Sequence, residues 1–232
     1  KKYYGGGHAG HWCYGLPEIP GQREKIRASH RVANPGCYAT AIALASAPAI
    51  ASGAIDGSDI VVVAASGTTG AGRSTKISLS ASEIMNSMTS YKFGGVHQHT
   101  PEIEQTLSAL TGDAVKISFT PVLAPMPRGI LATITARTSK DHVALRAIYD
   151  NAYREERFIT ILPEGQLPET SSLTGSNSVH IQVAVDSHTS RAIISAAEDN
   201  LGKGAAGQAI QNANLMCGYA EEEGLPVMGI GQ

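Results

Sequence analysis

The sequence predicts an α+β fold with a mixed, mostly antiparallel sheet and flanking helices. β-branched apolar runs at 59–65 and 129–136 are typical of buried or half-buried strands. Some predicted strands follow each other as hairpins, whereas others are separated by helical patterns, so the sheet should contain both kinds of pairing. A chain of 232 residues is long enough to bury one large core.

The first half of the chain contains four predicted elements. Residues 1–33 read as irregular, with a short helix within 22–30. A helix begins near Tyr38, buries one apolar face, and is kinked or ended by Pro48. The strand at 59–65 runs into a glycine-rich loop at 66–73. Residues 75–90 read as helix or loop and 91–99 as irregular, and Thr100 is expected to cap the next helix.

The second half alternates strands with helices. Strands are predicted at 115–122, 129–136 and 158–162, an amphipathic helix at 141–155, a hairpin of 179–186 with 191–197, and a last helix at 203–216. Glycines and alanines at 202–207 predict close backbone approach to another element, which the sequence does not reveal within this chain.

Composition excludes several classes of function. The chain carries 18 basic and 20 acidic residues, a net charge of −2, which gives no reason to expect nucleic acid or an anionic membrane as partner. No apolar run reaches transmembrane length, and the start lacks both the apolar centre of a signal peptide and a methionine, as in a fragment or processed form. Three cysteines without close spacing favour free thiols in the cytoplasm.

Cys37 follows a Pro-Gly break at the point where a loop becomes a helix. A helix N-terminus favours negative charge, so the thiol pKa should fall below the free value of about 8.5 and prepare a nucleophile. A buried structural thiol is the alternative, and position alone weighs the two evenly.

Two histidines, His97 and His99, precede a predicted helix. Histidine is the usual proton-transfer partner of a catalytic thiol. Two histidines at this spacing also suit a metal, but a third ligand is not evident, so no metal is predicted. Loop histidines that cap backbone groups are the alternative.

Two further places suit an anionic ligand. The loop 66–73 offers backbone N–H groups, hydroxyls and Arg73, which fit phosphate or pyrophosphate, although its glycine spacing matches neither the dinucleotide fingerprint nor a P-loop. A plain tight loop is the alternative. Arg128, just before a strand, suits an anionic substrate group or a surface acid.

Together these stretches resemble one known family. Residues 34–40, Asn-Pro-Gly-Cys-Tyr-Ala-Thr, resemble the active-site signature of the N-acetyl-gamma-glutamyl-phosphate reductases of arginine biosynthesis. Further motifs in the family order lie at 11–18, 66–73, 95–102, 119–121, 128–130, 162–165 and 199–204, so the resemblance covers essentially the whole chain.

The resemblance implies a catalytic domain like that of glyceraldehyde-3-phosphate dehydrogenase. Residues 1–33 would be a remnant of a largely absent nucleotide-binding domain and the connecting segment. Residues 34–198 would form the catalytic and dimerisation domain. Residues 199–232 would form a C-terminal helix that packs on the nucleotide-binding domain, whose absence would leave the small residues 202–207 without a partner.

The resemblance also implies the reaction. The family reduces the small-molecule acyl phosphate N-acetyl-glutamyl 5-phosphate to the 5-semialdehyde with NADPH, through a cysteine thioester, as a homodimer or homotetramer. By position, Cys37 would be the nucleophile and His99 the acid/base. His97 and Glu102 would orient His99 or bind the substrate. Arg128 and Arg73 are the candidates for binding the substrate's phosphate or carboxylate. The cofactor would be bound by Ser66, Gly67, Thr68 and Asn200.

Two other interpretations stay open. The chain could belong to a sibling acyl-phosphate reductase, such as aspartate-semialdehyde dehydrogenase, since the sequence does not determine the substrate tail. Alternatively, it could be a non-catalytic dimerisation fragment.

Overall fold

The computed structural model describes residues 7, 10–73, 76–92 and 94–230. Its N-terminal segment contains β1 (Cys13–Tyr14), α1 (Gln22–Arg27) and β2 (Val32–Ala33). β1 and β2 pair in parallel, which sequence analysis did not predict because two-residue strands are too short to show alternation. The predicted short helix is present as α1.

The main sheet has seven strands: β3 (Ile60–Ser66), β4 (Thr89–Ser90), β5 (Ile117–Leu123), β6 (Ile130–Arg137), β7 (Ile159–Ile161), β8 (Val179–Asp186) and β9 (Arg191–Glu198). Their spatial order is β4-β5-β3-β6-β9-β8-β7. Four strand pairs are antiparallel, and the β3–β5 and β7–β8 pairs are parallel. The predicted mixed, mostly antiparallel sheet and the β8–β9 hairpin are therefore confirmed.

The helices are α2 (Cys37–Ala51), α3 (Ala81–Ile84), α4 (His99–Thr111), α5 (His142–Tyr153) and α6 (Gly207–Cys217). A π-helical turn (Gly202–Ala206) leads directly into α6. α2 packs against α4 and α5 and against β6 and β9. None of the helices in the described ranges is long and apolar enough to cross a membrane.

The central helix α2 differs from its predicted form in two ways. Residues 38–50 are all buried, not just one face, because helices and the sheet surround α2 and its alanines permit close packing. Pro48 does not end the helix. The Tyr153 hydroxyl donates to the Leu44 carbonyl at 2.6 Å, the carbonyl that would otherwise lose its partner because Pro48 has no N–H.

Helix α4 begins two residues earlier than expected. Gln98 occupies the cap position and makes no capping bond through its side chain, so the prediction of Thr100 as N-cap is wrong. Thr100 lies inside the first turn and is buried. As a result, His99 is the first residue of α4, and the placement of the helix fixes the position of the histidine.

The two faces of the main sheet differ. One face packs against α2 and forms the core. On the other face, alternate residues of three adjacent strands stay partly exposed although they are apolar: Val61, Val63, Leu131 and Ile193. We call these four residues the open sheet face.

The C-terminal region packs on the rest of this chain. A Cβ on Gly202 would overlap the Ser176 carbonyl, and one on Gly204 would lie 2.8 Å from Cys37 Cβ. The expectation that residues 202–207 lack a partner within the chain is therefore wrong. Their neighbours come from distant parts of the sequence, which local patterns do not reveal. The three-part domain division and packing on a nucleotide-binding domain stay predictions.

Candidate active site

Cys37 is the first residue of α2, as predicted. Gly36 precedes it in an extended conformation (φ −73°, ψ 154°), and the helix continues from there. The Glu102 carboxylate accepts a hydrogen bond from the Gly36 N–H at 3.0 Å and another from the Tyr14 hydroxyl at 2.9 Å. Glu102 therefore holds the peptide that leads into Cys37.

The expected low pKa of the Cys37 thiol is wrong for this structure. Burial raises the pKa of Cys37 to about 12, and the nearby Glu198 carboxyl pushes it in the same direction. Hydrogen bonds from backbone N–H groups at the helix start lower it, as predicted, but they are outweighed. Cys37 is thus a neutral thiol in the resting chain.

His97 and His99 form one aromatic cluster at the start of α4. The His97 Nδ1 accepts a hydrogen bond from the His99 N–H at 3.2 Å, and the ring centroids lie 4.8 Å apart. Burial lowers the pKa of each imidazole to about 4, and Lys92 contributes in the same direction. Both rings are therefore neutral near pH 7 and able to accept a proton.

The His99 ring lies against the backbone just before the nucleophile. A Cβ on Gly36 would overlap its imidazole, so only glycine there leaves room for the ring. Cys37 and His99 line the same cavity of about 370 Å³, together with His97, Ser66 and Gly67. The structure therefore brings together five of the predicted site residues on one surface.

Several residues of this cavity were missed by sequence analysis. Tyr38 and Tyr91 line it and share a hydrogen bond between their hydroxyls at 3.2 Å, and Lys76 and Lys92 contribute ammonium groups. Residues 75–90 read as helix or loop and 91–99 as irregular, so no periodic pattern singled out Lys76, Tyr91 or Lys92. The nearest signal was Lys92, which lies a few positions before the predicted histidines.

Arg128 does not line this cavity. Its guanidinium binds Asp199 bidentately, with Nε–Oδ1 at 3.0 Å and Nη2–Oδ2 at 2.7 Å. Asp199 is fully buried and also accepts from the backbone N–H groups of Gly175 and Leu201. In this structure Arg128 therefore neutralises a buried acid, and its contact with substrate stays a prediction.

The predicted cofactor residues separate into two groups. Ser66 and Gly67 line the cavity, whereas the Asn200 amide accepts from the Gly129 N–H at 2.7 Å and donates to Thr69 at 3.0 Å. Asn200 therefore ties two loops together beside the site. Thr68 and Arg73 border a separate shallow depression. Their roles stay predictions.

Two buried ionisable side chains lie behind Cys37, and sequence analysis singled out neither. Glu198, at the end of β9, has no hydrogen-bond partner for either oxygen among the described residues. Lys203 is fully buried in the π-turn and donates to Glu18 and Gln211. The sequence signal for Glu198 was an acidic residue directly after the apolar pair Ala196 and Ala197, at the end of a predicted strand. The described residues contain no group of three side chains arranged to hold a metal ion.

Comparison with sequence families gives one match and close relatives. A family model described as semialdehyde dehydrogenase, dimerisation domain, matches residues 37–200. N-acetyl-gamma-glutamyl-phosphate reductase of Acidothermus cellulolyticus is 58% identical over 99% of this chain, which covers 67% of that protein. The proteins of the same name from an Arthrobacter species and from Mycobacterium avium are each 52% identical over 99% of the chain, which covers 68% and 66% of them.

Solved structures show the same fold at low sequence identity. Aspartate semialdehyde dehydrogenase II from Vibrio cholerae superposes with a TM-score of 0.68 at 19% identity, over 87% of this chain and 67% of that chain. A probable aspartate-semialdehyde dehydrogenase from Pseudomonas aeruginosa gives 0.66 at 17% identity, over 88% and 68%. At these identities the likeness concerns the fold.

Proposed function

This chain belongs to the N-acetyl-gamma-glutamyl-phosphate reductase family of oxidoreductases, and from that premise we propose how its residues perform the reduction. The substrate is N-acetyl-glutamyl 5-phosphate and the product is the 5-semialdehyde. The observation that supports the chemistry is that Cys37 and His99, from the starts of two different helices, meet on one cavity. The chain spans about two thirds of the length of its relatives.

The first step forms a thioester on Cys37. The neutral His99 imidazole accepts the thiol proton as sulfur attacks the acyl carbon, so no stored thiolate is needed. The sulfur–carbon bond forms, and phosphate leaves with the electron pair of the carbon–oxygen bond. The start of α2 favours the negative charge that develops in this step.

In the second step, the proton held by His99 moves to the substrate oxygen and then back to the imidazole. A bound NADPH would be the hydride source, and the thioester carbon on Cys37 accepts that hydride. His99 then returns its proton to the tetrahedral oxygen. It takes the proton back as the carbon–sulfur bond breaks and passes it to sulfur, which releases the aldehyde and restores the thiol.

The residues of the cavity fit the nicotinamide end of that cofactor. Gly67 has no room for a side chain, because a Cβ would lie 2.8 Å from the backbone of Arg128. Glycine is therefore required there for packing against Arg128, and Gly67 presents only backbone to the cavity, with the Ser66 hydroxyl beside it. The glycines of 66–73 do not have dinucleotide spacing, so we assign only this end to them.

We assign the substrate's anionic groups to Lys76 and Lys92, which line the cavity with Cys37. The acyl phosphate carries negative charge at the reacting end and a carboxylate at the other, and ammonium groups suit both. The three free cysteines support placement in the reducing cytoplasm.

An acylation assay tests the nucleophile without the cofactor. After addition of N-acetyl-glutamyl 5-phosphate, intact-mass spectrometry should show an acyl adduct on the chain, with one phosphate released for each adduct. We expect no adduct in Cys37→Ser and an acylation rate about 10²–10⁴-fold lower in His99→Asn. Cys217→Ser is the matched control and should acylate normally. If the wild-type chain stays unmodified, the proposed chemistry is wrong for this chain and the non-catalytic dimerisation fragment is the remaining interpretation.

We further propose that the chain forms a homo-oligomer through the open sheet face. The matching family model carries the description of a dimerisation domain, and this face exposes apolar side chains of three adjacent strands. Light scattering should show an oligomer that Val63→Glu dissociates. Val143→Glu, an exposed position on α5, is the control and should leave the mass unchanged.

A further inference from the structure

Glu198 is a buried acid in an unusual place. It is the last residue of β9, and its neighbours in the sheet are Ile130 on β6 and Val179 on β8, both apolar. The residue is 0% exposed, and neither carboxyl oxygen has a hydrogen-bond partner among the described residues. Such a group loses its hydration without compensation, which strongly disfavours its ionised form.

The carboxyl lies directly behind the nucleophile. A Cβ built on Gly204 would lie 2.8 Å from Cys37 Cβ and also 2.8 Å from Glu198 Oε1. A single carbon atom at this position would therefore touch both residues. Because no side chain separates them, a charge on one acts on the other through a poorly polarisable interior.

The surrounding charges leave Glu198 without a counter-ion of its own. Lys203, on the π-turn, attracts it but donates its hydrogen bonds to Glu18 and Gln211. Asp199, the next residue along the chain, binds Arg128.

Two more groups face Cys37. On the side of α4, Glu102 adds negative charge near Cys37 and His99 is neutral.

We propose that Glu198 is a positioning residue that controls the ionisation of Cys37: the carboxyl lies so close to the thiol that the thiolate forms more readily while Glu198 keeps its proton. This rests on the proposed function, in which Cys37 is the nucleophile. Burial raises the pKa of Glu198 well above its ordinary value, and an ionised Glu198 raises the pKa of Cys37. The two groups therefore titrate as a coupled pair.

The test is the pH profile of Cys37 alkylation. Iodoacetamide modification is followed from about pH 6 to about pH 11 by mass spectrometry of the peptide that contains Cys37, because Cys13 and Cys217 also react. For the wild-type chain we expect the alkylation rate to rise less steeply with pH once Glu198 ionises, because the new charge raises the thiol pKa. Glu198→Gln should keep the full slope and be alkylated about tenfold faster at the alkaline end of the range, which corresponds to a thiol pKa lower by about one unit.

Glu221→Gln is the matched control. It also neutralises a partly buried carboxylate, one that binds Arg23 and Gln211 in the C-terminal region. Its alkylation profile should superpose on the wild type. A Glu198→Gln profile that superposes as well would overturn the proposal.

Glu198→Leu repeats the test in case the glutamine variant does not fold, since leucine of similar volume suits a site lined by apolar neighbours. Circular dichroism checks both variants. If neither folds, Glu198 is structural and the proposal is wrong. The readout is thiol ionisation, so a shifted Glu198→Gln profile with no acyl adduct in the acylation assay would refute the proposed function alone.

Discussion

Two carboxyl groups are buried near Lys203. Glu18 is ionised, whereas Glu198 is neutral. Burial raises the pKa of Glu18, but attraction and hydrogen bonds from Lys203, with a further bond from Gln211, leave it below the ordinary value. Burial raises the pKa of Glu198 far more than the attraction of Lys203 lowers it, and Asp199 adds repulsion. Contact with a partner, and not the degree of burial, therefore decides which acid is charged.

The position of Lys203 explains the difference. It lies in the π-turn between β9 and α6, and its ammonium contacts Glu18 of the N-terminal segment and lies 5.5 Å from the ring of Phe158. The same buried pair joins the two ends of the chain beside Cys37. The ionised acid thus stabilises the fold, while the neutral acid faces the site.

Lys203→Met should have the largest effect on stability, because it removes the partner that distinguishes Glu18 from Glu198. It leaves the Glu18 charge buried without a partner, so the free energy of unfolding should fall by about 3–5 kcal/mol in urea denaturation at pH 7. Glu18 has a lowered pKa in the folded chain, so its contribution is present above its ordinary pKa of 4.5 and is lost as the pH falls.

The loss in Lys203→Met should therefore shrink in acid, where Glu18 takes up a proton. Lys140→Met, at an exposed position, is the control and should change the unfolding free energy by less than about 0.5 kcal/mol. A loss equal to that of the control would mean that Glu18 and Lys203 do not stabilise the fold as a pair.

Glu198→Leu should show the opposite sign with an intermediate effect. It replaces an unpartnered buried acid by an apolar side chain, so we expect about 1–3 kcal/mol of stabilisation at pH 7. The raised pKa of Glu198 means that folding holds its proton above the ordinary value of 4.5, and wild-type stability falls as the pH rises. The gain should therefore grow from about pH 4.5 upward, and a gain that is constant with pH would contradict the assigned charge state.

Tyr14→Phe tests a third, partly buried acid, Glu102, which has hydrogen-bond partners but no ion-pair partner among the described residues. It should have the smallest effect on the free energy of unfolding. Burial raises the pKa of Glu102, whereas bonds from Gly36 and Tyr14 lower it. Loss of the Tyr14 bond should cost about 0.5–1.5 kcal/mol of unfolding free energy at pH 7 and less below the pKa of Glu102. Tyr219→Phe, at an exposed tyrosine, is the control, and equal losses in both variants would sink this interpretation.

Local sequence was sufficient for the longer strands of the main sheet and for the start of α2. The apolar runs at β3 and β6 and the hairpin of β8 and β9 follow from periodicity, which acts over a few residues. The Pro-Gly break placed Cys37 at a helix start because Pro35 disfavours helix in the residue before it and glycine has a low helix propensity.

Long-range contacts explain what sequence analysis missed. Sequence analysis left Arg128 open to a substrate anion or a surface acid, and its partner, the buried Asp199, lies 71 positions along the chain. Gly204 appeared to lack a neighbour, although it lies between Cys37 and Glu198. Residues 76–92 contribute lysines and Tyr91 to the cavity without a regular pattern of their own.

The sequence by itself therefore determined the fold class and the family, because each depends on local patterns or on ordered motifs, whereas the roles of Cys37 and His99 stay predictions. Only the tertiary structure decided the charge states of these residues. Helix position alone predicted a low thiol pKa, whereas burial and Glu198 raise it. Desolvation and Coulomb interactions depend on which groups meet in space, and distant segments of this chain supply those groups.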